Sequence, residues 1–280
     1  MISLFGILIG WNHIDRHYGF GFNEAVPDSG GFKVISYNIK TNRYSANEEL
    51  LNEISNYIEN NNPQILCLQE CFLSKNQLNT FYKKINVEKI DPRDLTPHAH
   101  GLYTFTHYPL IQSGVLDNEG DEFALFHDLM LNGDTVRVYN VQLASIKLQK
   151  EKKLFSQKTD WESIKSNEQI SSMFQKFNKA YNQRIREVKV LKQHLANCRI
   201  PIILCGDFND TPLSYTYHEL SQNLSDPFTK FGKGFGNTHN ENLPPIRIDY
   251  ILHDKRFKTI SFEIAEPTFS DHFPVISTLE

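Results

Sequence analysis

The chain has little that would place it in a specialised class of protein. It carries four cysteines in 280 residues, Cys67, Cys71, Cys198 and Cys205, and none of their spacings is that of a zinc site. Cys67 and Cys205 sit inside apolar runs, so the thiols read as buried and free, and they leave the compartment open. Repeats and low-complexity tracts are absent. The net charge is only −4, too small an excess of either sign to argue for broad nucleic-acid binding. The apolar run from Ile2 to Trp11 spans roughly ten residues, about half of what crosses a bilayer. No basic flank precedes it, and no small-residue cleavage site follows before Asn12-His13-Ile14-Asp15-Arg16-His17. Three readings stay open for this run: a strand or helix packed on the domain, the end of a membrane helix whose upstream part lies outside this chain, or the apolar core of a signal sequence. Gly19 to Gly31, with its Gly, Asn, Pro, Asp and Ser, reads as a linker. The expected organisation is therefore an N-terminal segment and linker over 1–31 and one domain over 32–280.

What is there is ordinary globular material, 40% hydrophobic and 22% charged, enough to bury a sizeable core. The charge is uneven. Between Lys147 and Arg199 thirteen Lys and Arg face five Asp and Glu, net +8, so the remainder carries −12. A basic stretch of this kind reads as a solvated helical face, a lid over a pocket, or a contact with a phosphate backbone or an anionic membrane.

Strand-like and helix-like runs alternate from Phe32. Phe32 to Tyr37 and 64–69 read as strands, and between them Leu50, Leu51, Ile54, Tyr57 and Ile58 mark one helical face, with Asn47 as cap and Pro63 closing the exit. A second helix is expected over Lys75 to Lys84, then a loop rich in Asp, Pro and His up to Gly101. Glu122 to Leu131 and Thr135 to Leu143 flank Asn132-Gly133-Asp134, a hairpin turn. Residues 146–196 are helix-like in three pieces: a basic segment to Lys158, a stretch from about Ser163 to Tyr181, and an amphipathic helix with Ile185, Val188, Leu191 and Leu195. The fold expected is α/β in the α+β sense, a four-layer sandwich of two mixed β-sheets face to face with helices outside.

The chemistry sits at strand ends. Ile202-Ile203-Leu204 leads into Cys205-Gly206-Asp207-Phe208-Asn209-Asp210, which on its own is also what a plain turn looks like, since Asp and Asn bond their own backbone. Three other strands end in similar groups: Val34-Ile35-Ser36-Tyr37-Asn38, Ile65-Leu66-Cys67-Leu68-Gln69-Glu70 and Arg247-Ile248-Asp249-Tyr250. Ser270-Asp271-His272 precedes the last one. Five oxygen-rich or imidazole clusters at strand edges point to one metal-centred pocket.

In this order the motifs resemble the endonuclease/exonuclease/phosphatase family, in a bacterial-type member, over about Phe32 to Leu279. That family includes pancreatic-type deoxyribonucleases, apurinic endonucleases, bacterial sphingomyelinases and inositol polyphosphate 5-phosphatases. The resemblance implies a phosphoesterase dependent on Mg²⁺, or on Mn²⁺ in its place, and a phosphate-ester substrate in DNA, RNA or an anionic phospholipid. Glu70 is expected as direct metal ligand, Asn38 as its amide partner and Asp271 as a second-sphere carboxylate or an alternative metal ligand. Asp207 orients or deprotonates the attacking water, Asn209 donates to a phosphate oxygen, and Asp249 holds the His272 imidazole in one tautomer. Asp207 and His272 both remain candidates for the base.

The chain departs from the family at one catalytic position. Deoxyribonuclease-like and sphingomyelinase-like relatives read Asn-x-His-Leu where this chain reads Asn140-Val141-Gln142-Leu143. Gln142 can hydrogen-bond a phosphate oxygen but delivers no proton. His107, in Phe105-Thr106-His107-Tyr108-Pro109, stands where relatives carry Arg or Lys; it reads as a phosphate or structural contact or as a replacement acid. The aromatic-Cys-Asp-Arg signature of the inositol phosphatases is missing. Many bacterial relatives carry membrane helices ahead of this domain, so membrane association through residues 1–11 is a further expectation, and a cytoplasmic enzyme is the alternative. A monomer is expected. A phosphomonoesterase, or a binding module of the same fold without turnover, is the competing reading.

Overall fold

The computed structural model describes residues 14–21, 30–41, 48–85, 89–90, 101–146, 167–240, 245–266 and 269–280. In chain order the strands are β1 (Gly19–Phe20), β2 (Phe32–Asn38), β3 (Ile65–Gln69), β4 (Lys89–Ile90), β5 (Tyr103–Thr106), β6 (Leu110–Asn118) and β7 (Asp121–Leu131). They continue as β8 (Asp134–Gln142), β9 (Ile202–Asp207), β10 (Leu224–Ser225), β11 (Lys233–Gly234), β12 (Asp249–Asp254), β13 (Thr259–Ile264) and β14 (Val275–Leu279). The named helices are α1 (Glu48–Asn61), α2 (Lys75–Lys84), α3 (Asn167–Asn197), α4 (Tyr215–Ser221) and α5 (Phe228–Phe231).

Two six-stranded sheets form, in the orders β10-β12-β9-β8-β7-β6 and β13-β14-β2-β3-β5-β4. Both are mixed, because β8 runs parallel to β9 and β2 parallel to β3 while their other neighbours are antiparallel. The inner faces meet in a core that includes Val34, Ile65, Cys67, Val138, Ile203, Cys205 and Ile251. Alternation along the strands sends the neighbouring residues outward. Ile35, Tyr37, Leu66 and Leu68 then pack under α1 and α2, and Tyr139, Val141, Leu204 and Leu252 under α3 and α4. The result is the four-layer sandwich that the alternating runs imply.

Local chemistry accounts for most of the boundaries. Ser74 caps α2 in a reciprocal box with Gln77. The β7–β8 turn places Asn132 at φ 49° and Gly133 at φ 98°, the two positive values such a hairpin needs. Asn47, the expected cap of α1, lies outside the described residues.

Two expectations change, and one hairpin is new. The two helical stretches expected after Ser163 are one 31-residue helix, α3, and the basic segment from Lys147 to Lys158 lies outside the described residues. Gly19 and Phe20, expected as the start of a linker, pair instead with Gly234 and Lys233. Arg247, buried against Asp226 at 2.8 Å, donates to the Arg16 carbonyl at 2.7 Å and so ties this N-terminal piece to the domain. A hairpin of β6 and β7 was also not expected; its turn is Glu119-Gly120, with φ 57° and 87°.

Gly206 shows how tightly the sheet is drawn together beside the site. Its φ is 141°, and a Cβ there would lie 2.0 Å from the Val141 carbonyl oxygen of the adjoining strand. Gly206→Ala is expected to destabilise the protein by about 3 kcal/mol, from backbone strain plus the clash, read as a lower denaturation midpoint in urea. An unchanged midpoint would show that the strand moves aside without cost.

Candidate active site

Register carries the site residues to one end of the sandwich. In one sheet Gln142 pairs with Asp207 and Asp207 with Asp249, forming a row across three adjacent strands. In the other, Asn38 pairs with Gln69, the residue before Glu70, and Ser270-Asp271-His272 leads into β14 beside β2. The two rows face each other across the seam between the sheets.

Two amides bridge that seam. Asn38 Nδ2 donates to Glu70 Oε1 at 3.2 Å and to Asp207 Oδ2 at 3.0 Å. Gln142 Nε2 donates to the same two oxygens, at 3.4 and 3.1 Å. Asn38, Gln142 and Asp207 are buried, so a pair of carboxylates is held close in low dielectric by four N–H contacts. Glu70 sits at φ 48°, its carbonyl held by the Thr41 N–H and hydroxyl at 2.9 and 3.0 Å. Behind the seam, Gln69 Nε2 donates to Asn140 Oδ1 at 2.7 Å, and Asn140 Nδ2 donates to the carbonyls of Tyr103 and Leu68. Gln69 and Asn140 brace the two rows. The sequence signal for Asn140 was its place two residues before Gln142 on the same strand face.

The imidazole of His272 lies between carboxylates. Its Nδ1 meets Asp249 at 3.0 and 3.2 Å, and its Nε2 stands 3.9 Å from Asp207 Oδ2. Burial pushes its pKa down, but the charge and hydrogen bond of Asp249, then Asp207 and Asp271, overcome that and raise it to about 10. For Asp207 burial acts first and upward, joined by the Asp249 charge. His272 and the hydrogen bonds from Asn209 and Asn38 pull back, leaving it raised at about 6. Across neutral pH the pair is carboxylate and imidazolium. Thr238 accepts the Ile248 and Asp249 amides at 3.0 and 3.1 Å and so orients Asp249.

Asp271 belongs to a second cluster of the site, with His239 and His272. Its carboxylate bonds Lys40 Nζ and lies 3.7 Å from His239 Nε2, and the His239 ring meets that of His272 edge to face at 4.7 Å. His239 was not singled out in the sequence. Its only signal was an imidazole two residues after Asn237 in a loop approaching Asp249, and backbone pairing with His272 brings it into the site. Among the described residues, two sets gather three metal-capable atoms: Asp207, Asp249 and His272, and His239, Asp271 and His272.

Of the expected ligand set, Asn38 and Glu70 are hydrogen-bonded to each other in the seam, and Asp271 is bonded to Lys40 and near His239. Asn38 presents donors to Glu70 while its Oδ1 accepts the Lys40 N–H, so as oriented it positions Glu70. Glu70 Oε2 accepts no hydrogen bond among the described residues, which leaves a hard oxygen donor of the kind Mg²⁺ takes with water completing its shell. Asn209 gives one of its two amide N–H groups to the Leu143 carbonyl at 2.9 Å, and its backbone N–H holds Asp207 Oδ1 at 2.8 Å. It braces Asp207. His107 is misplaced as a replacement acid. Its N–H bonds the Gln64 carbonyl at the start of β3, whereas Glu70 follows the other end, roughly 20 Å along the strand.

The sequence pattern of the endonuclease/exonuclease/phosphatase family matches residues 35–272. The chain belongs to that family. Its members generally hydrolyse phosphoesters. No curated protein matches the sequence. Solved structures share the family fold at low identity. The catalytic domain of human Nocturnin with a bound sulfate anion is 18% identical, with 92% of this chain and 97% of that one covered, at a TM-score of 0.62. A mannosyl-6-phosphatase of Bacteroides thetaiotaomicron is 17% identical, with 89% and 99% covered, at 0.60. A functionally unknown protein of Enterococcus faecalis is 16% identical, with 89% and 99% covered, at 0.62.

The amide bridge makes a pH-dependent prediction. Because the folded-state pKa of Asp207 lies above its unfolded value, ionising it costs stability; that cost is absent below about 4 and fully present above about 6. Gln142→Leu removes a donor from the carboxylate pair and enlarges the cost. The variant is expected to lose about 1–3 kcal/mol at pH 7.5 and markedly less at pH 5, measured by urea unfolding at both. An equal deficit at the two pH values would mean that Gln142 acts through packing alone.

Proposed function

We propose that the chain is a divalent-metal-dependent phosphodiesterase that hydrolyses its substrate by in-line attack of water. The observation that carries this reading is the seam where Glu70 and Asp207 are held together by Asn38 and Gln142, with His272 fixed beside them by Asp249. Glu70, with Asp271 as a second-sphere or alternative carboxylate, would hold Mg²⁺ or Mn²⁺. Such a cation, when bound, supplies Lewis acidity toward the phosphoryl oxygens.

Asp207 is the base in this reading. Its raised pKa makes it a better proton acceptor than an exposed carboxylate, and it is ionised at neutral pH. His272 is already protonated there, so it offers Nε2–H and positive charge to a phosphoryl oxygen. Charge favours a diester over a monoester. Glu70, Asp207, Asp249 and Asp271 are balanced by Lys40, His272 and one divalent cation, which leaves no excess positive charge for a dianionic monoester and suits a monoanionic diester better. A Bacteroides phosphatase among the structural neighbours makes the monoester the natural comparison substrate.

The test is hydrolysis of bis(p-nitrophenyl) phosphate and p-nitrophenyl phosphate by the purified chain, with Mg²⁺, with Mn²⁺ and with chelator. The diester is expected to be cleaved faster, only with metal, and Asp207→Asn to lower kcat by about 10²–10⁴-fold while the protein stays folded. Absence of turnover with either metal would leave a phosphate-ligand-binding module as the better account.

Gln142 gives a second test. Lacking a transferable proton, it should leave the enzyme weak on diesters with alkyl leaving groups. Gln142→His is expected to raise the rate on an alkyl diester by about 10²-fold or more, and to change the nitrophenyl diester little. Equal effects on both substrates would remove leaving-group protonation from the account.

A further inference from the structure

The segment from Arg16 to Phe20 lies ahead of residue 35, where the family pattern begins, yet its contacts converge on the loop that brings His239 into the site. Gly19 and Phe20 pair with Gly234 and Lys233, and the Gly21 N–H donates to the Gly232 carbonyl at 3.0 Å. The glycine permits this approach, because a Cβ at Gly19 would lie 2.2 Å from the carbonyl carbon and oxygen of Gly232. His17 and Tyr18 both meet the Phe235 ring edge to face, at 5.8 and 5.2 Å. Three residues past Phe235 comes Thr238, which is bonded on every side. Its N–H donates to the Ile246 carbonyl at 2.9 Å and its carbonyl accepts the Phe273 N–H at 2.8 Å. Its hydroxyl oxygen accepts the Ile248 and Asp249 N–H groups, and His239 follows, paired with His272.

The same segment also holds the chain on the far side of that loop. Arg247, two residues ahead of Asp249, is 2% exposed. Its Nη1 pairs with Asp226 at 2.8 Å, and the rings of Phe228 and Tyr250 cover the guanidinium at 4.1 and 4.7 Å. Its Nε has no hydrogen-bond partner among the described residues, so the Arg16 carbonyl, 2.7 Å from Nη2, is a large part of what satisfies a buried cation. A charged N–H left without water or acceptor is costly. Lifting Arg16 away therefore either strands Nη2 in the interior or draws Arg247 outward, and Asp249 is only two residues along.

The geometry points to residues 16–20 as a positioning element of the active site. They fix Lys233 to Phe235 on one side and Arg247 on the other, so that Thr238 holds Asp249 and His239 stands against His272. A segment outside the family pattern thereby completes the scaffold of family residues. The structural consequence stands on these contacts alone, while the kinetic consequence rests on the phosphodiesterase reading.

The experiment is hydrogen–deuterium exchange of the full chain, read by mass spectrometry, alongside kinetics on bis(p-nitrophenyl) phosphate with Mg²⁺ or Mn²⁺. Gly19→Ala forces the two backbones apart. It is expected to speed exchange about tenfold or more over 236–239, 246–249 and 271–274, with the β6–β7 hairpin exchanging as in the parent. It is also expected to lower kcat about tenfold or more with KM little changed, because the residues it displaces orient the reacting groups. Tyr18→Ala removes one ring contact and should shift the same segments less, which keeps the test open if Gly19→Ala does not fold. Val136→Ala, in the core at the opposite end of β8, should lower the urea midpoint but leave those segments and kcat as they are. Parental exchange around Thr238 and Phe273 in the folded variants overturns the proposal, and so does faster exchange spread evenly over both sheets. A parental kcat despite faster local exchange, or a fall in kcat that Val136→Ala reproduces, overturns the positioning role. If the chain cleaves no diester, the exchange measurement still decides, so failure of the phosphodiesterase reading is told apart from failure of this one.

Discussion

Two carboxylates held close in a buried seam are the constraint on which the rest of this structure depends. Glu70 and Asp207 belong to different sheets, and left to themselves they would repel. Asn38 and Gln142 supply N–H groups to both, which turns the repulsion into a contact that joins the sheets. The deeper Gln69–Asn140 hydrogen bond fixes the spacing, and the close approach of Gly206 to Val141 aims Asp207 at the seam. A site built this way is largely formed before any ligand arrives. That is what electrostatic catalysis asks of a protein, since dipoles already in place need no reorganisation during reaction.

The same arrangement assigns different tasks to neighbouring titratable groups. Burial without enough donors raises Asp207 toward basicity, while two further carboxylates beside Asp249 keep His272 protonated. An imidazole that remains cationic at neutral pH is poorly suited to accept a proton and well suited to meet a phosphoryl oxygen. The choice between Asp207 and His272 as base was open from the motifs alone, because it depends on which carboxylates surround each group. Gln142 has a structural duty in the seam as well as a catalytic deficit, so its presence is compatible with a working site.

Most of the architecture was legible because strands and helices announce themselves by period. Alternation in β8 and β9, the Asn-Gly turn between β7 and β8, and the helical spacing of α1 and α2 gave the layers and their order. Register was not legible. Only strand pairing reveals that His107 stands at the far end of β3, and only the backbone bridge between His239 and His272 brings an unremarkable loop histidine into the site. The division of α3 into two pieces failed for a related reason: its exposed half lacks the buried face that marks its other half, yet the helix is continuous. The N-terminal strand was hidden by its Gly-rich composition, which also describes a short pairing segment.

The most direct test of a metal-centred seam is anomalous diffraction from crystals of the chain soaked in Mn²⁺. A single strong peak bonded to Glu70 and within reach of Asp207 is the result predicted. A peak held by His239, Asp271 and His272 with Glu70 untouched, or no peak at this end of the sandwich, would contradict it.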